Sequence, residues 1–501
     1  MSKQRGPNLL FILSDQHCAQ VTGCYGDRLV PTPHLDRLSE RGVLFESAYC
    51  CSPICLPSRM SLLTGQQPFQ NAVWTNEDIL DSGIPTFAHA MGAAGYEPVL
   101  IGRLHSLGPD QLRGYSRRLV GDHYPNHLGG TGAERGVLDG TQDPERISLE
   151  LSGAGQSAYQ IHDEAVTATA VEFLTEHGRA QRAGGMEQPF CLTLGYMLPH
   201  PPYVATQEDF DRYADSISLP ADLRPFDEES HPFFRWWREE TGTQDIPPAQ
   251  MLRARAAYWG LVTRLDHMIG EVLDALEQSG HSEQTLVVYT SDHGDMLGEH
   301  GLWWKHTFYE PSVRVPLIVS WPGHIRGGER CRRVVSLLDV NATMLDALNA
   351  PALPHAEGRS FLKLIDGRAE NPPWDDIAFS EYCQDRFAPP GGCYQRMIRL
   401  GEWKSIYYHR QPPMLFNLHD DPQEQINRAD DSSCRSLIEE LTARILDEWH
   451  PDLIAARMAG RRADNRILKA WAQKTQPPDS VRWQMRPEMS YLNDLSPSRD
   501  E

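Results

Sequence analysis

The 501-residue chain lacks the features that mark membrane proteins, nucleic-acid binders and disulfide-bonded scaffolds. No stretch approaches the roughly 20 apolar residues that a membrane span needs, so we expect no membrane partner. Acidic residues outnumber basic ones by 68 to 47, and no basic stripe offsets the formal charge of −21. We therefore expect no nucleic-acid partner. The ten cysteines show no C-x-x-C pairs and are too sparse for a disulfide scaffold.

The beginning of the chain also lacks an apolar run before Asn8, from which we expect no signal peptide. Together with the cysteine pattern, this predicts a cytoplasmic protein with reduced thiols. Hydrophobic residues make up 40% of the chain and charged residues 23%, as in ordinary globular proteins. A chain of this length can bury a large core in more than one domain.

Buried strands alternate with amphipathic helices over most of the chain, which indicates an α/β fold with a large mixed, mostly parallel sheet flanked by helices. Apolar runs at residues 8–14, 190–197 and 285–290 predict its central strands. After about residue 370, short strands separated by turns predict an antiparallel sheet. The predicted domains are a catalytic domain at 1–370, a smaller α+β domain at 371–474, and a tail at 475–501. We expect the tail to dock on another subunit of a homo-oligomer.

The most informative stretch is Cys55-Leu-Pro-Ser-Arg59. Pro57 suits the first turn of a helix, because its missing N–H costs nothing there. Cys55 would then lie at a helix N-terminus, where free amides and the helix dipole favour negative charge. Arg59 lies one turn further along on the same side. From local sequence alone, a small buried cysteine before an ordinary helix is an equal alternative.

This pentapeptide resembles the sulfatase signature Cys-x-Pro-x-Arg, and Leu63-Thr-Gly65 extends the match. In that family the cysteine is oxidised after synthesis to formylglycine, whose hydrate is the nucleophile. The resemblance covers nearly the whole chain. It implies an alkaline phosphatase-like fold and a sulfatase that hydrolyses a sulfate ester to an alcohol and inorganic sulfate. It also implies two partners, a small sulfated substrate and a formylglycine-generating or other sulfatase-maturing enzyme.

Two predicted strands end in residues that could ligate a metal. Asp15-Gln16 follows the first strand and Asp292-His293 follows the strand at 285–290, where open α/β sheets bind ligands. For Asp15, a simple turn after the strand is the alternative. Both pairs resemble sulfatase metal segments, in the form found in choline sulfatases and phosphonate monoester hydrolases. The resemblance implies one divalent cation held by these four residues and formylglycine at Cys55. The oxygen-rich shell suits Ca²⁺, and the histidine makes Mn²⁺ the alternative.

Three further segments resemble catalytic positions of the family. Arg103-Leu-His105 matches Gly-Lys-x-His with arginine in place of lysine, and the resemblance makes His105 the base. His200 resembles the histidine that contacts the sulfate and the leaving oxygen. Lys305 ends the second metal segment as the catalytic lysine. We expect the three cations at 59, 103 and 305 to stabilise the transition state, and His200 with Lys305 to supply the leaving-group proton.

The alcohol attached to the sulfate stays open among sugar, aryl, alkyl and amino-alcohol groups. Asn76 and Glu381 resemble substrate-contacting residues of the choline sulfatase branch, with a loop-capping role and a strand-edge role as their alternatives. Residues 126–132 lack the Trp and Phe that would cage a quaternary ammonium, which argues against choline sulfate. Two other functions compete with a sulfatase. One is a phosphonate monoester or phosphodiester hydrolase using the same residues, and the other is a binding protein that never matures its cysteine.

Overall fold

The computed structural model describes residues 6–184, 188–229, 231–366 and 373–494. The strands are β1 Asn8–Asp15, β2 Val43–Tyr49, β3 Glu97–Gly102, β4 Arg117–Arg118, β5 Gly153–Gln156, β6 Phe190–Pro199, β7 Val204–Ala205, β8 Thr285–Ser291, β9 Leu317–Ser320, β10 Glu329–Ser336, β11 Ile377–Gln384, β12 Cys393–Leu400, β13 Trp403–Tyr408, β14 Met414–Asn417 and β15 Tyr491–Leu492. The helices are α1 Pro33–Glu40, α2 Cys55–Thr64, α3 Pro68–Asn71, α4 Phe87–Ala93, α5 Ile147–Glu150, α6 Ala158–Arg182, α7 Gln207–Ala214, α8 Pro232–Glu240, α9 Pro248–Ser279, α10 Glu310–Val313, α11 Leu337–Ala347, α12 Leu362–Ile365, α13 Arg435–Leu446 and α14 Pro451–Thr475.

The large sheet has eight strands in the order β10-β2-β9-β8-β1-β6-β3-β4. Its strands pair in parallel, except that β9 runs antiparallel to both β2 and β8. Every residue of the central strands β1, β6 and β8 is buried, as expected for strands covered by helices on both faces. The predicted mixed, mostly parallel sheet is confirmed.

The register of β1 against β8 places the two predicted metal segments side by side. Ser14 pairs with Ser291, so both strands end at the same edge of the sheet. The residues that follow, Asp15-Gln16 and Asp292-His293, therefore emerge next to each other. Helices α6 and α9 pack together on one face of the sheet, and α2, α4 and α11 form a second layer. This second layer carries Cys55 at the first position of α2.

Strands β11 to β14 form a separate antiparallel sheet, which confirms the predicted meander. Helix α13 contacts β12 and β13, and a buried cluster that includes Trp449 joins the helix to the sheet. Helix α14 continues after Pro451 and was not expected. Only a few of its 25 residues are buried, so its apolar periodicity is weak in the sequence.

The described part of the tail returns to its own chain. Residue Arg482 forms a bridge with Asp122, and β15 pairs with β5. Docking on another subunit stays a prediction. The predicted domain boundary at 370 and the last tail residues, 495–501, lie outside the described residues. Among the helices that the structure describes, none is long and apolar enough to cross a membrane.

Candidate active site

Cys55 is buried at the first position of α2, where it contacts residues from several distant segments. Its Sγ lies 3.6 Å from Asp15 Oδ1, 3.2 Å from His293 Nε2 and 3.0 Å from Lys305 Nζ. In a matured enzyme the formylglycine oxygens would occupy the region of this sulfur. The structure therefore brings the predicted nucleophile, two predicted metal ligands and the predicted catalytic lysine together.

One carboxylate oxygen of Asp15 and one of Asp292 form ion pairs with arginines. Asp15 Oδ2 lies 3.0 Å from Arg59 Nη2 and 2.5 Å from Arg103 Nε, and Asp292 Oδ2 lies 2.8 Å from Arg59 Nε. The other oxygen of Asp15 is turned toward the thiol. The arginines thus compensate two buried carboxylates while leaving Oδ1 of Asp15 directed at the centre.

The imidazole of His293 has a defined tautomer. Its Nδ1 lies 3.0 Å from the carbonyl oxygen of Gly294, which can only accept, so Nδ1 carries the hydrogen. The lone pair of Nε2 therefore points at the thiol and at the two aspartates, 3.8 Å from Asp15 Oδ1 and 3.7 Å from Asp292 Oδ1. A backbone carbonyl that fixes the far nitrogen in this way is the usual arrangement for a metal-bound histidine.

The donor set fits a divalent cation. Ligand atoms of Asp15, Cys55, Asp292 and His293 all lie within 4.8 Å of one another, and all four residues are buried. Gln16 adds an amide oxygen beside them, which Lys305 Nζ contacts at 2.8 Å. Carboxylate, amide and imidazole donors around one point are suited to Ca²⁺ or Mn²⁺.

The charges around the cluster fix the protonation states of its groups. Burial opposes ionisation of Asp15, but Arg103 and Arg59 hold the pKa of its carboxyl well below the usual value. Burial and the nearby Asp15 raise the pKa of the Cys55 thiol to about 11. The unmodified thiol is therefore protonated at neutral pH and is a poor nucleophile there.

The predicted base is poised in its neutral form. Burial and the adjacent Arg103 hold the pKa of His105 well below the usual value. Arg103 Nη2 donates to His105 Nδ1 at 3.0 Å, and the buried Nε2 has no hydrogen-bond partner among the described residues. Asp122 fixes this loop, because its Oδ2 accepts the backbone N–H of His105 at 2.9 Å. Because Arg103 can only donate, Nδ1 is the acceptor and the neutral ring carries its hydrogen on Nε2, so this nitrogen can donate to a ligand, and the role of His105 as the base stays a prediction.

His200 and Lys305 share one proton beside the thiol. His200 Nδ1 lies 2.7 Å from the carbonyl oxygen of Pro201, so it donates there and leaves Nε2 as an acceptor. Lys305 Nζ donates to that Nε2 at 3.0 Å. Burial and Lys305 hold the pKa of His200 well below the usual value, so the transferable proton is on the lysine.

The backbone around the site is strained. Gln16, His105, Trp304 and His306 all adopt left-handed conformations, with φ of 67°, 58°, 63° and 75°. Such conformations cost about 1–3 kcal/mol each for residues other than glycine and cluster at functional sites. Gln16 and His105 follow the ends of β1 and β3, and Trp304 and His306 flank Lys305.

A cavity of about 320 Å³ opens next to the residues that flank Cys55 and Lys305. Ile54, Asn76 and His306 line its inner end, and Asn76 Oδ1 also accepts the backbone N–H of Leu56 at 3.0 Å. Asn76 therefore combines its predicted position near the substrate with the loop-capping role that was its alternative. The opposite wall comes from the loop after β11 and from α14.

Glu381 lies elsewhere. It is buried on β11 opposite Arg396, and neither of its carboxylate oxygens has a hydrogen-bond partner among the described residues. These residues belong to the small sheet and its surroundings, not to the group around Cys55. The structure thus brings every other predicted site residue to one place and leaves Glu381 apart; its substrate contact stays a prediction.

Two site residues were not singled out from the sequence. Asp122 anchors the backbone of His105, and Asp295 contacts the side chain of Gln16 at 2.7 Å. Both are aspartates within segments already noted for their family resemblance, which is the signal that could have found them. The arginines of α14 that line the cavity, Arg461 and Arg462, had no such signal.

The comparisons with known proteins agree with this geometry. Residues 7–350 match the family model described as Sulfatase, and residues 298–450 match the one described as N-sulphoglucosamine sulphohydrolase, C-terminal. The chain is 33% identical over 439 residues to the choline-sulfatase of Rhizobium meliloti (strain 1021), covering 85% of this chain and 82% of that protein.

Solved structures of phosphonate monoester hydrolases have the same fold. The Agrobacterium radiobacter enzyme superposes with a TM-score of 0.72 at 24% identity, over 90% of this chain and 96% of that one. The Silicibacter pomeroyi enzyme does so with a TM-score of 0.68 at 26% identity, over 88% and 94%.

The fold and the site define a hydrolase of the alkaline phosphatase-like superfamily. The chain belongs to the sulfatase family, and it is a sulfuric ester hydrolase.

Proposed function

We propose that the protein is a formylglycine-dependent sulfatase of small monosulfated alcohols, with Cys55 as the modified residue and one Ca²⁺ or Mn²⁺ in the site. The observation that carries the proposal is the convergence on the Cys55 sulfur of a carboxylate oxygen, an imidazole lone pair and an ammonium group, each within 3.6 Å. These neighbours do not activate a protonated thiol, whereas they would activate an oxygen nucleophile beside a metal.

Two groups would supply chemistry beyond the side chains. Hydrated formylglycine would provide the attacking hydroxyl, and a cation held by Asp15, Gln16, Asp292 and His293 would polarise the sulfate oxygens. The protein's own cations complete the anion site. Arg59 and Arg103 are fixed by the aspartates, and Lys305 lies against residue 55, so positive charge faces the transferring group without reorganisation.

Two further groups would form hydrogen bonds to the reacting oxygens and transfer a proton. His105, whose Nδ1 accepts from Arg103, carries its hydrogen on Nε2 and would donate it in a hydrogen bond to the hydrate. Lys305, with His200 as its hydrogen-bond partner, would return a proton to the leaving alcohol. His105 and His200 are both neutral because burial and neighbouring cations lower their pKa values, and in this state the Nε2 of His200 can accept from Lys305.

The cavity beside Asn76 would receive the alcohol. Three arginines line it, and each is paired with a lining carboxylate, as Arg386–Glu77, Arg461–Asp78 and Arg462–Asp385 at 2.5, 3.2 and 3.0 Å. Two more lining carboxylates, Asp143 and Glu145, have no ion pair with any described residue. The excess of negative charge disfavours an alcohol that carries a second sulfate and favours one with hydroxyl or amino donors.

Two further features are proposed on indirect support. All ten cysteines lie within the described residues and are free thiols, which supports residence in a reducing compartment such as the cytoplasm. A sulfatase-maturing enzyme would be the partner that modifies Cys55. Homo-oligomer formation is proposed on the sequence alone.

The test is to produce the protein with and without a formylglycine-generating enzyme and to analyse the peptide spanning Cys55 by mass spectrometry. Matured, metal-loaded protein should carry formylglycine and hydrolyse an aryl sulfate, and protein with an unmodified thiol should not. Maturation conditions that leave the thiol intact, or equal turnover by both preparations, would contradict the proposal.

A phosphonate monoester or phosphodiester hydrolase is the second candidate. The fold shared with the two phosphonate monoester hydrolases favours it, whereas Gln16 and His293 take the form that resembles choline sulfatases and phosphonate monoester hydrolases alike and do not decide between the two functions. Sulfate and phosphonate esters differ by little more than charge, so the same groups bind either. The ratio of kcat/KM for an aryl sulfate and an aryl phosphonate ester on one matured preparation separates the two functions.

A further inference from the structure

The side chain of Gln16 has an oppositely charged partner at each end of its amide. Its Nε2 donates to Asp295 Oδ2 at 2.7 Å, and its Oε1 accepts from Lys305 Nζ at 2.8 Å. All three residues are buried. A carboxylate can only accept and an ammonium can only donate, so the amide has one satisfied orientation.

The rest of Gln16 is fixed independently of that amide. Its backbone N–H donates to Asp292 Oδ1 at 3.0 Å, and its carbonyl oxygen accepts from the hydroxyl of Tyr258 at 2.6 Å. The backbone is left-handed, with φ of 67°. The remaining freedom of the side chain is rotation of its terminal amide, and Asp295 and Lys305 remove it.

Asp295 is itself held in place. Its Oδ2 also accepts the hydroxyl of Tyr203 at 2.7 Å, and its Oδ1 accepts the backbone N–H of Leu297 at 3.0 Å. Its side-chain hydrogen bonds are with Gln16, Tyr203 and Leu297, not with Cys55. Asp295 is thus one step removed from the predicted nucleophile.

An amide can ligate a cation only through its oxygen. If the amide of Gln16 were rotated, its NH₂ group would face both Lys305 and the metal, and repulsion would weaken metal binding. We propose that Asp295 is a positioning residue that holds the Gln16 oxygen toward the metal centre, acting only through Gln16. This inference rests on the proposed metal site. It explains how a chain with glutamine at this position can still offer an oxygen ligand in a fixed direction.

The proposal is tested by exchanging the donor and the acceptor of the hydrogen bond between Gln16 and Asp295. Asp295→Asn removes the charged acceptor, and Gln16→Glu opposes two carboxylates across the same contact. In the double variant the new amide at 295 can donate to the new carboxylate at 16, and a carboxylate presents oxygen to the metal in either orientation. The two changes should therefore rescue each other.

The measurement is the Kd for Ca²⁺ and for Mn²⁺, by calorimetric titration of metal-depleted full-length protein. Each single variant should bind about 10–100-fold more weakly than the wild type, as is typical when an outer partner of a ligand is lost. The double variant should recover most of that loss. Asp266→Asn is the matched control, since this buried aspartate accepts backbone N–H groups of α1 rather than bonding to any residue of the site. It should shift the Tm and leave both Kd values unchanged.

The outcomes separate this inference from the proposed function. If the wild type binds neither metal, the metal site fails and the role of Asp295 fails with it. If the wild type binds and Asp295→Asn binds equally well, or if the losses simply add in the double variant, the positioning role alone is overturned. Weaker binding by both single variants with recovery in the double variant supports it.

Discussion

Two buried clusters of opposite charges within the described residues can be compared. They differ in whether every carboxylate oxygen has a partner within the protein. One surrounds Cys55. The other, which we name the junction cluster, consists of Tyr49, Glu310, Arg314, Lys404 and Glu424 and joins the large sheet to the small one. Both exclude water and both pair acids with bases, so burial and charge do not distinguish an active site from a structural contact.

In the junction cluster every carboxylate oxygen has a partner within the protein. Lys404 Nζ lies 2.9 Å from Glu310 Oε1 and 2.5 Å from Glu424 Oε1. Glu310 Oε2 contacts Arg314, and Glu424 Oε2 accepts the backbone N–H of Glu310. Around Cys55, by contrast, Asp15 Oδ1 and His293 Nε2 face the thiol, and His105 Nε2 has no partner among the described residues. Acceptors turned toward one side chain, and an imidazole N–H without a protein partner, mark the site that can bind a ligand.

Removing the nucleophile should produce the largest effect. We expect Cys55→Ala to lower kcat/KM by about 10³-fold or more while leaving the fold intact, because the thiol fills little volume and its neighbours keep their own ion pairs. The measurement is turnover of an aryl sulfate by matured enzyme, with circular dichroism as the check on folding.

Cys51→Ala is the matched control for that variant. Cys51 is also buried, four residues earlier in the chain, and its Sγ contacts Ser336. It should retain activity within a few-fold. Substantial turnover by Cys55→Ala would refute the assignment of the nucleophile, and equal loss in both variants would indicate a general packing effect.

Removing the metal should also stop turnover, and it should lower stability as well. We expect about one ion per chain, with activity lost on chelation and restored by Ca²⁺ or Mn²⁺. Metal at 100 times its Kd should raise the free energy of unfolding by about 2.7 kcal/mol, since it binds only the folded site. In the Asp292→Asn variant, the free energy of unfolding should depend little on metal. In a variant of the junction cluster, it should depend on metal as in the wild type. A metal-free enzyme with full activity would contradict the site.

Breaking the junction cluster should affect stability without affecting the chemistry. Lys404→Met leaves two buried glutamates without their shared cation, a loss that typically costs about 3–5 kcal/mol. Denaturant unfolding should show this destabilisation. The folded fraction of the variant should keep the wild-type kcat and metal affinity. A fall in kcat at unchanged stability would mean that the junction cluster takes part in catalysis. Complete pairing of its carboxylates would then not mark it as a structural contact.

Much of the fold and of the site could be predicted from the sequence, because the relevant signals are local. Apolar runs that end in Asp15 and Asp292 identified both strands, and parallel pairing then required their ends to meet. The helix beginning at Cys55 followed from Pro57, and the structure ends it at Gly65, which has a φ of 69°. These positions depend on residues within a few places of one another.

The rest depends on contacts across long stretches of chain. Nothing local indicates that Arg461 and Arg462 line the cavity beside Asn76, hundreds of residues away. Helix α14 presents few buried side chains, so its pattern is weak. Which oxygen of Asp15 remains unpaired also depends on Arg59 and Arg103 arriving from two other segments. Sequence could propose the members of the site but not the direction in which each one points.

Glu381 offers the smallest test and adds a third kind of buried carboxyl to the comparison. Burial raises its pKa from 4.5 to about 7, although the nearby Arg396 opposes this shift. The folded state therefore binds more protons than the unfolded state between pH 4.5 and 7, and this group's contribution to stability falls as pH rises through that interval. Glu381→Gln should remove this dependence. The variant should match the wild type near pH 4 and exceed it by up to about 3 kcal/mol at pH 8, as measured by urea unfolding. If Glu381 also contacts the substrate, as its family resemblance predicts, KM should rise in the same variant, whereas an unchanged KM would contradict that contact.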